Sequence, residues 1–435
     1  MVRAAVRNRL VAACLLMLTA PLLILAYTQN VRLGFVLETN SAGLTALSLV
    51  RDGDFGIEEF FPPYIPHDVG YAARWRGKTL YSIEPVASSL TFTPFFLPYR
   101  NAEPRFWRPE RINNLVAAQV AVLTVIVIGW WLLSIATVPR ALVATGIFAL
   151  ATSHRTISGA GLWQHTSGGL WLAVGLFAWS HARRWPALFP VAGAALALAT
   201  ACRPIFVAVP ILAALDAWFL ARTSRKTFLS TSVLVVSIGS LALYANWHFH
   251  GSLVGGRIDL VRNPTMFHSV KTYFHFSPVH LLGLLTSPSR GLFVYSPVLL
   301  FAVPGLMRSL RKPTPEGLRL ITIAGILTFL LYGFISTWWA GSVFGPRYMT
   351  DLLPFFALWL TLTPIPAKGR PVLAVCFAAA LAWSLWVQQL GENTYPCNWN
   401  HTPVLVDRAP QRVWDWRDSQ IARCAGWVKP PPTLY

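Results

Sequence analysis

The sequence predicts an all-α integral membrane protein of about eleven transmembrane helices, with a long first outer loop carrying interfacial helices. Hydrophobic residues make up 54% of the 435 residues and charged residues only 12%, about half the share of soluble domains. The mean hydropathy is +0.50. The apolar residues also gather in runs that approach the ~20 residues a bilayer core requires. Five cysteines exclude a disulfide scaffold, and no CxxC or Cys/His spacing suggests a zinc site.

In chain order the expected spans are 10–28, 114–137, 141–154, 166–181, 186–201, 205–221, 228–248, 291–307, 320–337, 351–365 and 371–390. The first follows Arg3, Arg7 and Arg9 and so resembles a secretory signal. No small-residue cleavage site follows it, and it is expected to stay as a helix. Orientation follows from the basic residues of alternate loops. With the N-terminus inside, the inner segments hold 15 basic residues in 40, whereas the outer segments beyond the first loop hold 12 in 114. The N-terminus is therefore expected in the cytoplasm and the C-terminus on the periplasmic or extracellular side of the cytoplasmic membrane. The formal net charge of +19 then orients the chain in a bilayer, and nucleic acid is not expected as a partner.

Two units result: a transmembrane domain over 1–390 and an outer tail over 391–435. The outer loops 29–113 and 249–290, like the tail, are too long to be turns and place the chemistry outside. The tail holds Cys397 and Cys424 as its only cysteines, in a compartment that favours oxidation, and a disulfide is expected between them.

Of the 17 acidic residues, nine lie in the first outer loop. Glu38 precedes a segment in which Asn40 suits an N-cap, Leu44, Leu47 and Val50 recur at helical spacing, and Gly53 suits a stop. An interfacial helix with Glu38 just before its positive end is expected. Glu84 stands before Pro85 and a second apolar stretch. Read alone, either is better taken as a solvated loop carboxylate.

Basic counterparts stand at other outer boundaries: Arg203 before Pro204, Arg290 before Gly291 and Arg347 after Pro346. Each could snorkel to headgroups. Together, however, they suit an anionic lipid-linked substrate, because a guanidinium donates to phosphate in pairs. His165 stands at the outer end of its span and could join them.

At these residues the chain resembles the GT-C membrane glycosyltransferases, most closely the bacterial aminoarabinose transferase and protein O-mannosyltransferase branch. That family's first outer loop opens DExRYAxxAxxMxxxGDW. Counting back from Gly53-Asp54-Phe55 places its leading acid on Glu38, with Ser41 and Ala42 at the family's Arg and Tyr positions. Tyr81-Ser82-Ile83-Glu84-Pro85 looks like a second family feature. SPSRGLFVYSP and FGPRYMTDLLPF resemble its outer-boundary segments. Glu38 replaces the usual Asp, and Thr39 replaces the second acid, so paired carboxylates for a divalent metal are lacking and metal dependence stays open.

The resemblance implies transfer of a sugar from a polyprenyl-phosphate donor to a hydroxyl on a lipid, glycan or protein. Glu38 would be the base. Arg290, Arg347 and Arg203 would stabilise the departing phosphate, with Glu84, His165, Tyr348, Trp338 and Trp339 around the substrate. Single displacement implies inversion. A transporter or flippase of a lipid-linked sugar is the alternative, but it favours ionisable residues at mid-membrane. The expected spans hold almost none besides Asp216, near an inner end. A non-enzymatic scaffold leaves the boundary arginines unexplained.

Overall fold

A computed structural model describes residues 2–29, 37–61, 72–101, 109–220, 224–253, 274–311, 317–364 and 371–430; the side chain of Glu38 is outside that description. The described residues are mostly helical, with 73% helix and 3% strand. Among the described residues four helices are long and apolar enough to cross a membrane: Arg7–Tyr27, Glu110–Ile135, Arg225–His250 and Pro371–Thr394. Shorter apolar helices cover Val138–Leu150, Leu188–Cys202, Pro204–Trp218 and Leu318–Tyr332. Large apolar side chains stand exposed along several of them, including Leu22, Val236, Leu241, Val372 and Val375. Such faces suit hydrocarbon rather than water.

The elements needed below are α1 (Val2–Leu18), α2 (Ala20–Tyr27), α3 (Leu37–Arg51), the hairpin β1 (Ala73–Arg76) and β2 (Thr79–Ser82), α4 (Val86–Phe96) and α5 (Pro109–Ile135). They continue with α6 (Val138–Leu150), α7 (Gln164–Ala182), α8 (Leu188–Cys202), α9 (Ala208–Leu215) and α10 (Arg225–His250). The C-terminal half adds α11 (Pro278–Thr286), α12 (Leu292–Tyr295), α13 (Val303–Arg311), α14 (Leu318–Tyr332), α15 (Leu353–Leu362), α16 (Pro371–Thr394) and α17 (Gln420–Cys424). The main core joins α5 to α8 with α14 and α15, through residues such as Trp131, Leu172, Trp179, Leu196 and Phe355.

Prolines decide where the expected spans depart from single helices. Residues 291–307 form α12, a 3-10 turn over Pro297–Ala302, and then α13. Pro297 supplies no N–H to a helical ladder, and the break falls there. Likewise α9 is preceded by a 3-10 turn at Pro204–Val207, and α15 by another at Arg347–Leu352. Close packing joins these short pieces: a Cβ on Gly305 of α13 would collide with the carbonyl oxygen of Trp359 in α15. Gly305→Ala should therefore destabilise the protein by about 1–3 kcal/mol, read as a lower melting temperature in detergent.

The first outer loop differs from expectation in detail. The described part of α3 already includes Leu37, so Asn40 is inside the helix rather than its cap. The Asn40 amide oxygen instead accepts from Nδ2 of Asn113 at 2.9 Å, tying α3 to α5. Residues 39–48 are buried, so α3 packs within the fold rather than lying on its surface. Gly53, at φ +77, ends the turn that follows, as a residue without a Cβ should.

The expected disulfide is present between Cys397 and Cys424, with Cα atoms 5.1 Å apart.

Candidate functional site

Two polar clusters gather at the end of the molecule where α7 begins and α8 ends. The first is built on helix interruptions. Arg203 leaves α8 at φ −146, ψ 94, because the following Pro204 disfavours the helical conformation. Trp163 is extended, so α7 opens with Gln164 and His165 in its first turn. The 3-10 turn after Pro346 buries every residue from Arg347 to Leu352.

These turns meet on Asp351, which is 2% exposed. Oδ1 of Asp351 pairs with His165 Nδ1 at 2.7 Å, and Oδ2 accepts from Arg203 Nε at 2.9 Å and from the Tyr332 hydroxyl. Because the carboxylate accepts, Nδ1 of His165 carries the proton. Arg203 also donates from Nη1 to Gln164 Oε1 at 3.2 Å and from Nη2 to the Tyr332 hydroxyl at 3.1 Å. A guanidinium has five N–H donors, and these contacts use three. Two donors of Arg203 therefore have no acceptor among the described residues.

Tyr348 closes one side of this cluster, stacked on Tyr332 at 5.1 Å and lying under the Arg203 guanidinium at 5.2 Å. The Arg347 guanidinium sits over the Trp163 ring at 4.7 Å. Glu84 is buried close by. The Ser82 hydroxyl, which accepts from the Glu84 N–H at 3.2 Å, lies 2.7 Å from that of Ser41 in α3. Four residues after Glu84, Ser88 accepts from Ser167 in the first turn of α7 at 2.9 Å. The loop bearing Glu84, the first turns of α3 and α7, and the Arg203 turn thus form one contiguous region. Glu84, Thr45, Ser89 and His250 face a hollow of about 10 Å³, room for about one water.

An apolar groove of about 750 Å³ opens beside this region, between α8, the Pro204–Leu215 segment and α10. It is lined from Pro204, Thr200 and Asn246 at the polar end to Trp218 and Phe228 at the other. Arg203 adjoins its polar end through Pro204.

The second cluster surrounds Arg290, which is 1% exposed. Its Nε donates to Trp339 O at 2.8 Å; Nη1 donates to Ser289 O at 2.7 Å and Gln420 Oε1 at 2.9 Å; Nη2 donates to Gly341 O at 3.0 Å and Asn400 Oδ1 at 2.8 Å. All five donors are occupied. Burial lowers its pKa, an effect that nearby Tyr295 and Tyr395 oppose. Trp338 packs against Trp414, with ring centroids 5.6 Å apart, and Trp339 Nε1 donates to Asp407 at 2.7 Å. Cys397 and Cys424 lie in the same tail.

The expected substrate residues are therefore divided. Glu84, His165, Arg203, Arg347 and Tyr348 gather around the first cluster, whereas Arg290, Trp338 and Trp339 join the second. Arg290, expected as a phosphate ligand, has every donor committed to protein in this structure and ties the tail to the loop before α12. Arg290→Ala would orphan five acceptors. At about 1.5–3 kcal/mol for each bond to a charged group, cleavage within the tail by limited proteolysis should accelerate roughly tenfold or more. Lysine, with three donors, should not restore the wild-type rate.

Asp351, Tyr332 and Gln164 were not among the expected site residues. The one local sign was an acid at the outer edge of an otherwise apolar span, four residues after Arg347. At the opposite ends of the helices, buried Asp216 pairs with Arg183 at 2.6 Å and accepts from Trp179 Nε1 at 2.7 Å. Among the described residues no three His, Cys, Asp or Glu side chains are grouped to hold a metal ion. Searches of family models and of curated proteins give no match to this chain.

Proposed function

We propose that the protein is a GT-C-type glycosyltransferase, with eleven spans, that moves a sugar from a polyprenyl-phosphate donor to a hydroxyl acceptor on the outer face of the cytoplasmic membrane. One observation carries this reading: a half-buried arginine with two uncommitted donors adjoins the polar end of an apolar groove. A lipid phosphate combines the matching features, an anionic head and an apolar tail. The groove would receive the carrier's tail and Arg203 its phosphate, with Arg347 beside it.

In the reaction the acceptor oxygen bonds to the anomeric carbon as the bond from that carbon to the phosphate oxygen breaks. The electron pair leaves with the polyprenyl phosphate, and the hydroxyl proton goes to the Glu38 carboxylate. Arginine donors already in place gain interaction energy as charge grows on the departing phosphate. Asp351 does not touch the substrate in this scheme. It holds Arg203 and His165 in position and compensates the half-buried guanidinium. Attack opposite the leaving group inverts the anomeric centre.

The test is to incubate the purified protein with labelled polyprenyl-phosphate sugars and a membrane extract and to identify what becomes labelled. A covalently glycosylated product with inverted configuration is expected. Movement of the donor across a bilayer with no covalent product would overturn the proposal in favour of a flippase.

A further inference from the structure

The C-terminal tail carries an aromatic surface that the proposed chemistry does not use. Trp386 of α16 and Trp427 of the tail stack with ring centroids 5.4 Å apart and planes 15° from parallel. Trp383, one turn earlier in α16, lies 5.0 Å from Trp386. The three are 37%, 62% and 38% exposed, for Trp386, Trp427 and Trp383 in turn. Three large aromatic rings therefore share one open surface.

Its position along α16 points to its partner. The exposed apolar face of that helix runs from Val372 through Val375, Trp383 and Leu385 to Trp386. Gln388, Gln389, Glu392 and Asn393 follow immediately. From Pro371 to Trp386 the helix rises about 22 Å at 1.5 Å per residue, most of a ~30 Å hydrocarbon core. Trp386 thus stands where an apolar span becomes polar, the depth at which tryptophan is enriched in membranes.

Trp427 is brought to that depth by the tail itself. The Cys397–Cys424 disulfide ties α17 to the chain just beyond α16. Gly426, at φ +72, then reverses the backbone so that Trp427 N donates to Ala422 O at 2.9 Å. Exposed Lys429 follows two residues later, a cation suited to phosphate headgroups.

We infer that the far end of the tail seats in the phospholipid headgroup layer through Trp427 stacked on Trp386. A carbohydrate could also stack on exposed tryptophans, but the continuity of this surface with the apolar face of α16 favours lipid. The assignment requires only that α16 spans the bilayer.

The test uses the full chain labelled with 5-fluorotryptophan in nanodiscs of phosphatidylcholine and phosphatidylglycerol. Trp386→Phe and Trp427→Phe, which keep an aromatic ring, identify two resonances among those of the 19 tryptophans. A lipid with a nitroxide near the headgroup end of its acyl chain should broaden both, and a water-soluble gadolinium chelate should broaden neither strongly. Broadening of the Trp427 resonance by the chelate and not by the lipid would overturn the inference. So would a Trp427 shift on adding oligosaccharide, or on raising protein concentration, without a response to the nitroxide lipid.

Discussion

Arg203→Lys should leave the protein folded and cut sugar transfer on the order of 10²- to 10³-fold, the scale for loss of a preorganised donor to a developing anion. Lysine keeps the positive charge that the buried Asp351 carboxylate requires, so the pair at 2.9 Å can persist in altered form. It cannot keep the geometry. Three N–H groups of Arg203 already serve Asp351, Gln164 and Tyr332, and an ammonium has only three in all. Nothing is then left for phosphate. The loss should fall mainly on kcat, because the interaction strengthens as the phosphate departs. Arg203→Ala is the poorer probe: it strands a buried carboxylate at a cost of about 3–5 kcal/mol and confounds activity with folding. Equal transfer by Arg203→Lys and wild type, measured with the labelled donor at saturation, would remove Arg203 from the phosphate site.

The two clusters show why some of this site could be read from sequence and some could not. Arg203, Arg290 and Arg347 were visible because each is a charge beside Pro or Gly at the edge of an apolar run. Their roles were not visible, because a role depends on where the remaining donors go. Arg290 spends its last two on Gln420 and Asn400, 130 and 110 residues away. Arg203 reaches Asp351 across 148 residues, and His165 reaches it across 186. No local pattern encodes such pairings. The order of the arginines consequently changes, from Arg290 first to Arg203 first.

Helices divide in the same way. α5, α10 and α16 are legible because a single apolar run exceeds the length a bilayer needs. The run at 291–307 has suitable composition, yet Pro297 divides its backbone. Composition reports the environment of a segment, whereas the hydrogen-bond ladder reports its shape. Asn40 illustrates the point on a smaller scale. It has the chemistry of a cap, but Asn113 of α5 offers its amide a partner inside the fold, and Leu37, three residues earlier, is already helical.

Glu38→Gln should abolish transfer while leaving the amount of folded protein and the affinity for donor nearly unchanged. The amide keeps the size of the side chain and its capacity to hydrogen bond, but it cannot take the proton that the acceptor hydroxyl must lose. Glu38 belongs to α3, three residues before Ser41, whose hydroxyl lies 2.7 Å from that of Ser82 beside Glu84. The α3 backbone thus runs beside the region that Arg203 and His165 occupy. Donor binding to Glu38→Gln, measured with a non-transferable polyprenyl-phosphate sugar, separates this role from a structural one. Lost transfer with retained donor affinity marks a base. Loss of both together marks a residue that shapes the pocket, and full transfer would move the proton to another group, of which His165, held by Asp351 through Nδ1, has the chemistry to accept it through Nε2.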